Sequence, residues 1–173
     1  MAEALRRHGI QAVLSGGGCA SFYTRGAYLS ADLDFILSKP ARRAVVDAAM
    51  ASVGFSREGD RYVHSKVRFY VEFPRGPLAI GGDWQVRPAR HRRAGAELLT
   101  LSPTDCCRDR LAAFYHWKDR QSLRVAVAVA ARHRVRVGVI RHWSEQEGKT
   151  REFEEFVREV RKARATGKHR GRI

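Results

Sequence analysis

The sequence predicts an α+β fold, on three observations. Short apolar stretches with strand-like alternation come first, from about residue 10 to 101. The run Ser102-Pro103-Thr104-Asp105 is a helix start. Beyond it, apolar residues recur at helical spacing almost to the end. The expected organisation is therefore an α/β core over residues 1–101 and a helical part over 102–166. Residues 167–173 follow as a basic tail, too rich in charge to order itself. At 173 residues and 44% hydrophobic content, the chain can bury an ordinary core.

The elements follow in order. Residues 1–7 read as a short helix. Residues 11–14 form a strand running into the glycine turn Gly16-Gly17-Gly18, and residues 19–23 open a helix. Residues 31–36 are the second strand. Side chains alternate there, so Leu33 and Phe35 face a core while Asp32 and Asp34 project together from the other side. Pro40 opens a helix over 41–52, with Val45, Val46, Ala49, Met50 and Val53 at helical spacing and Gly54 as its stop. Residues 61–64 and 67–73 read as strands. In the latter, Phe69, Val71 and Phe73 alternate with Arg68, Tyr70 and Glu72 until Pro74 and Gly76-Pro77 break the run. Residues 83–86 and 97–101 are candidate short strands. Helices are expected over 103–117, 120–133, 135–147 and 151–164. The last has a stripe of Phe153, Phe156, Val157 and Val160, with acids ahead of bases as the helix dipole prefers.

Charge is the strongest compositional signal. Lys and Arg number 33 against 18 Asp and Glu, a net +15. Such an excess suits a polyanionic partner such as RNA, the ribosome or nucleotide phosphates; an arginine-rich solvated surface is the other reading. Arg90-His91-Arg92-Arg93 reads as a loop, either a polyanion contact or simply solvated. No apolar run approaches the roughly 20 residues that a bilayer crossing needs. The N-terminus lacks the apolar segment and cleavage site of a signal peptide, so a cytoplasmic protein is expected. Cys19, Cys106 and Cys107 have no metal-site spacing and read as reduced packing residues.

Two carboxylates side by side on a rigid strand repel unless a cation lies between them, and the natural guest is a divalent ion such as Mg²⁺. The glycine cluster lets backbone approach a ligand closely and presents N–H groups at a helix N-terminus, where phosphates bind. It is neither a Walker A loop nor a dinucleotide fingerprint, and alone it could be a glycine turn without a ligand. If the strand bearing Glu72 lies beside the Asp32–Asp34 strand, Glu72 becomes a third carboxylate on that surface. Three carboxylates can hold two ions about 4 Å apart, as phosphoryl and nucleotidyl transfer require. Otherwise Glu72 is an exposed acid paired with Arg68 or Arg75.

Gly-Gly-x, then about a dozen residues, then Asp-x-Asp, then a lone acid on a later strand, resembles the DNA polymerase β-like nucleotidyltransferase superfamily. The chain looks most like the small minimal bacterial members and the abortive-infection toxin type, over about residues 10 to 120. The resemblance implies a short mixed sheet flanked by helices, with the C-terminal helical part as the other wall of a nucleotide cleft. It implies transfer of a nucleoside monophosphate from an NTP to a hydroxyl, with two Mg²⁺ ions. Gly16, Gly17 and Gly18 would hold the triphosphate, with Ser15 and Ser21 standing in for the serine common at the third turn position. Asp32 and Asp34 would bind both metals and Glu72 the second, near the acceptor hydroxyl. Arg110 or Lys118 would contact the triphosphate, and Asp119 would close the site. The chain departs from the family pattern in having Tyr28 where an Arg often stands and Glu rather than Asp as the third acid.

RNA or tRNA is the favoured acceptor, and a protein hydroxyl or a small molecule are others. An antitoxin or other protein partner follows from the toxin resemblance. The alternative reading is a non-catalytic basic RNA- or ribosome-binding domain on the same fold. His116 reads as a helix-surface or core histidine, and Arg108, Asp109 and Arg110 as members of local ion pairs.

Overall fold

The computed structural model describes the backbone through Arg170 and side chains through Thr166. Its elements run α1 (Ala2–Arg7), β1 (Ala12–Ser15), α2 (Gly16–Tyr23), β2 (Asp32–Leu37), α3 (Arg43–Ala51), β3 (Ser56–Glu58), β4 (Arg61–Val63), β5 (Tyr70–Glu72), β6 (Ala89–Arg93) and β7 (Ala96–Thr100). Four helices complete the chain: α4 (Pro103–Trp117), α5 (Arg120–Arg132), α6 (Val137–Gln146) and α7 (Thr150–Arg170). The fold is α+β, as expected.

The strands form one mixed, open sheet in the order β3-β4-β5-β2-β1-β7-β6. β1 runs antiparallel to β2 and parallel to β7, and β2 runs parallel to β5. β1 is buried along its whole length, as a central strand covered on both faces must be. Phe35, Val71 and Tyr62, from three neighbouring strands, are buried with Val46, Ala49 and Met50 of α3. One contiguous apolar cluster runs from Leu5 through the sheet to Phe156 and Val160 of α7.

Two helices leave the same end of the sheet. α2 follows β1 without a loop, and α4 follows β7 after Leu101, whose N–H donates to Leu14 O at 3.1 Å. Parallel pairing of β1 with β7 thus sets α2 and α4 side by side. Cys19, Cys106 and Cys107 are buried and free, as the sequence suggests. Burial pushes the Cys107 thiol well above its ordinary range. In the helical part, Tyr115 stacks on Trp143 at 5.4 Å between ring centroids.

Three expectations need correction, and one strand was not expected. Residues 90–93 are strand β6, paired with β7; Arg90 and Arg92 each reach Glu97 at 3.0 Å, so this is a charged sheet edge and not a loop. Residues 83–86 form no strand beyond an isolated bridge between Ile80 and Asp83, because the Asp83 carboxylate turns inward to buried Arg108 at 2.7 Å. Strand β3, Ser56–Glu58, is wholly exposed and so has no apolar alternation to announce it. α7 continues through Arg170, so the segment from 167 begins as helix; residues 171–173 of the expected tail lie outside the described residues.

Candidate functional site

Parallel pairing of β2 with β5 sets Asp32 opposite Tyr70, Leu33 opposite Val71 and Asp34 opposite Glu72. Alternation then puts Asp32, Asp34, Tyr70 and Glu72 on one face, and Leu33 with fully buried Val71 on the other. The strand bearing Glu72 is therefore the direct neighbour of the strand bearing the aspartates. No ion pair joins Glu72 to Arg68 or Arg75 among the described residues; its cross-strand neighbour on the far side is Arg61, whose guanidinium lies over the Tyr70 ring at 5.3 Å.

On its other flank Asp34 pairs with Ser15, the last residue of β1 and the N-cap of α2. The glycines are not a turn ahead of a helix, as expected, but its first turn. Gly16 has φ +60°, and a side chain there would run into Asp34 Oδ2. A Cβ on Gly17 would meet the hydroxyls of Ser30 and Tyr28, and one on Gly18 would meet Leu33. The three glycines exist so that the start of α2 can press against β2 and the loop before it. This leaves the first-turn N–H groups and the positive end of the helix beside Asp34.

The loop over residues 25–31 is pinned by Ser30 and by Ser21 of α2. Ser21 Oγ donates to Gly17 O at 3.1 Å and accepts from Ser30 N–H at 2.9 Å, so its hydroxyl ties loop to helix rather than lying free for a phosphate. Ser15 Oγ donates to Asp34 O at 3.3 Å. Ser30 Oγ donates to Asp32 Oδ1 and orients that carboxylate. Ser30, Tyr28, Tyr70 and Arg61 were not singled out by sequence reasoning as site residues. Only Ser30 carries a local signal, a hydroxyl two residues before an aspartate.

The electrostatics follow from this crowding. Asp34 is half-buried, and its pKa is pushed up to about 6, first by burial, then by Asp32 and Glu72. The Arg110 guanidinium of α4 opposes the rise. Arg110 Nε also donates to Asp109 Oδ2 at 2.9 Å. The Tyr70 phenol is raised, chiefly by Asp32. Between the two expected cations, Arg110 acts on Asp34, while Lys118 sits exposed in the left-handed conformation at the end of α4. Asp119 caps α5: its carboxylate accepts from Gln121 N–H at 2.8 Å and from Ser122 Oγ at 2.6 Å. The Ser122 hydroxyl, foremost, holds it below its ordinary value, and Arg110 adds to this. His116 is a surface residue paired with Glu147 at 3.2 Å.

Among the described residues, no three His, Cys, Asp or Glu side chains stand gathered around one point as a ready metal cage. The donor chemistry nonetheless suits a hard divalent cation. Three carboxylates share a sheet face, burial and then the neighbouring carboxylates push the Asp34 pKa up, and Gly16 lets the start of α2 approach it closely. A cavity of about 450 Å³ beside β4 and β5 touches Glu72 together with Arg43, Arg57, Arg75 and Asp60, but neither Asp32 nor Asp34. Comparison of the chain with protein-family models, curated proteins and solved structures finds no match.

Proposed function

We propose that the protein is a metal-dependent nucleotidyltransferase with a nucleotidyltransferase-like fold, moving a nucleoside monophosphate from an NTP to a hydroxyl. One observation carries the reading. The β2–β5 register sets Asp34 beside Glu72, with Asp32 on the same face and the glycine-opened N-terminus of α2 against Asp34. Asp32, Asp34 and Glu72 would hold Mg²⁺, which when bound neutralises phosphate charge and polarises the oxygens around it. Asp34, with its pKa near 6, is ionised at neutral pH, the form that takes a cation. The N–H groups at the start of α2 and the Arg110 guanidinium offer donors for the triphosphate. Glu72 would take the proton of an acceptor hydroxyl. The net charge of +15 favours an RNA acceptor, tRNA included.

Incubation with labelled NTPs, Mg²⁺ and total RNA tests this. Wild-type protein should transfer label and Asp34→Ala should not; equal labelling by the two overturns the assignment. The second reading, a non-catalytic RNA-binding domain on this fold, is favoured by the carboxylates not standing gathered around one point. Calorimetry separates the two: Mg²⁺-dependent NTP binding belongs to the enzyme, and its absence to the binding domain.

A further inference from the structure

The excess positive charge has a location. From residue 120 to residue 144 the chain carries Arg120, Arg124, Arg132, Arg134, Arg136 and Arg141 and not one Asp or Glu. All six arginines are exposed. Five of them fall on α5 or on the link to α6. Between α5 and α7 lies an open groove of about 640 Å³. Its walls carry Arg124, Arg132 and Arg164, its floor is Val127 and small alanines, and among the described residues no carboxylate lines it. Arg132 and Arg164 donate to the backbone oxygens of Ala128 and Ala130, at 3.1 and 2.7 Å, which fixes where these two guanidiniums sit. Their remaining N–H groups are available to a ligand, since a guanidinium has five.

A basic sheet edge offers an instructive contrast. There Arg90 and Arg92 converge on Glu97, and Arg6 on Glu3. At that edge Glu97 and Glu3 answer Arg90, Arg92 and Arg6. Among the described residues no acid lines the groove, though Arg120 at the head of α5 pairs with Glu155 of α7 at 2.7 Å.

The start of this basic track is also informative. α5 begins at its cap Asp119, which lies within electrostatic reach of Arg110, and Arg110 acts in turn on Asp34. The track thus starts at the C-terminal end of α4, the helix that carries Arg110. At 1.5 Å per residue, it runs roughly 20 Å away along α5.

We propose that the α5–α7 groove binds the sugar–phosphate backbone of a nucleic acid and leads one of its ends toward the carboxylate face. Guanidiniums match phosphate oxygens, and a floor of small residues lets a backbone approach. Among the described residues no aromatic ring lines the groove, which suits positioning a strand by its backbone. The binding stands on the groove alone; its role in presenting an acceptor rests on the nucleotidyltransferase reading above.

The test uses the full-length protein and an end-labelled mixed-sequence RNA of about 20 nucleotides, the matching single-stranded DNA, and polyglutamate as an acidic polymer without phosphate. Arg124→Gln/Arg132→Gln is compared with Arg92→Gln/Arg93→Gln, which removes the same charge from the sheet edge. The groove pair should weaken RNA or DNA binding about tenfold or more near 0.1 M salt and flatten its salt dependence, by about 0.7–0.9 in slope per lost phosphate contact. The edge pair should leave binding within about twofold of wild type. Circular dichroism melts establish that the variants are folded, and the single Arg124→Gln, at an exposed position, serves as a milder second variant. Equal losses from the two pairs, or polyglutamate competing as well as RNA, overturns the proposal. If RNA binding follows the groove but no NTP label is transferred, the enzyme assignment falls and the groove stands. If label is transferred to RNA equally by wild type and the groove pair, the groove's part in presenting the acceptor falls.

Discussion

Glu72 stands directly across from Asp34 in a parallel strand pair, and Gly16 closes on Asp34 from the opposite flank. Asp34 is therefore confined between a second carboxylate and the end of a helix. Either neighbour alone is ordinary. Together they account for a carboxyl whose pKa is pushed up to about 6, because burial and like charge act in the same direction while only Arg110 opposes them.

The confinement of Asp34 makes Gly16 a sharp test. Gly16→Ala meets two penalties, a positive φ and a collision with the Asp34 carboxylate. Gly9→Ala meets only the first, since φ is +72° there with nothing near the added Cβ. Gly9→Ala should cost about 1 kcal/mol and Gly16→Ala about 2–4 kcal/mol. Urea denaturation of both variants checks the difference; equal costs would mean that α2 can move away from β2 freely.

Asp34 also gives the metal-free protein a pH dependence with a fixed sign. Its folded pKa of about 6 lies above the ordinary 3.8, so between these values the folded state binds the extra proton. Stability from this group is full below about pH 4, falls as pH rises to about 6, and stays level above. A shift of this size corresponds to roughly 3 kcal/mol in a dry site, and solvent around a half-exposed group reduces that to about 1–2 kcal/mol. Asp34→Asn should therefore be more stable than wild type by about that amount at pH 7.5, and no more stable at pH 4. Urea titrations in EDTA at the two pH values measure it. Adding Mg²⁺ at pH 7.5 should raise the melting temperature of wild type and leave that of Asp34→Asn unchanged.

Arg108 and Arg110 lie two residues apart on α4 and should behave oppositely. Arg108 is buried and bonded to Asp105 at 3.0 Å and Asp83 at 2.7 Å, holding the loop before β6 against the helix. Removing it strands two acids, so Arg108→Ala should cost about 3–5 kcal/mol. Arg110 pairs with Asp109 at 2.9 Å in a partly buried position, and Arg110→Ala should cost about 1–2 kcal/mol while weakening NTP binding. Thermal melts and calorimetry on the two variants separate a structural cation from a ligand-facing one.

Parts of this arrangement are legible in the sequence for physical reasons. The period of a strand is two, so Asp32 and Asp34 must share a face wherever the strand lies. Ser102 and Pro103 announce α4, and Ser102 Oγ does accept from Asp105 N–H at 3.1 Å. Adjacency of β5 to β2 is different: β5 has only three residues, and its neighbour is chosen by long-range packing of Val71 beneath the sheet. The glycines were legible as a special backbone but not as a helix turn, because what demands them is the Asp34 side chain from another strand. β6 was hidden by its arginines, which answer Glu97 across the pair and leave no apolar alternation to read.

Asp119 is where the sequence expectation and the geometry can be set against each other by one substitution series. As a member of the site it would be needed for its charge; as the cap of α5 it is needed only for an acceptor oxygen at that position. Asn caps helices about as well as Asp, whereas Ala loses about 0.5–2 kcal/mol. Asp119→Asn should therefore keep wild-type stability and nucleotide binding. Asp119→Ala should lower stability by about 1 kcal/mol and reduce binding only as far as folding suffers. Should Asp119→Asn melt like wild type yet lose Mg²⁺-dependent NTP binding, the carboxylate charge itself serves the site.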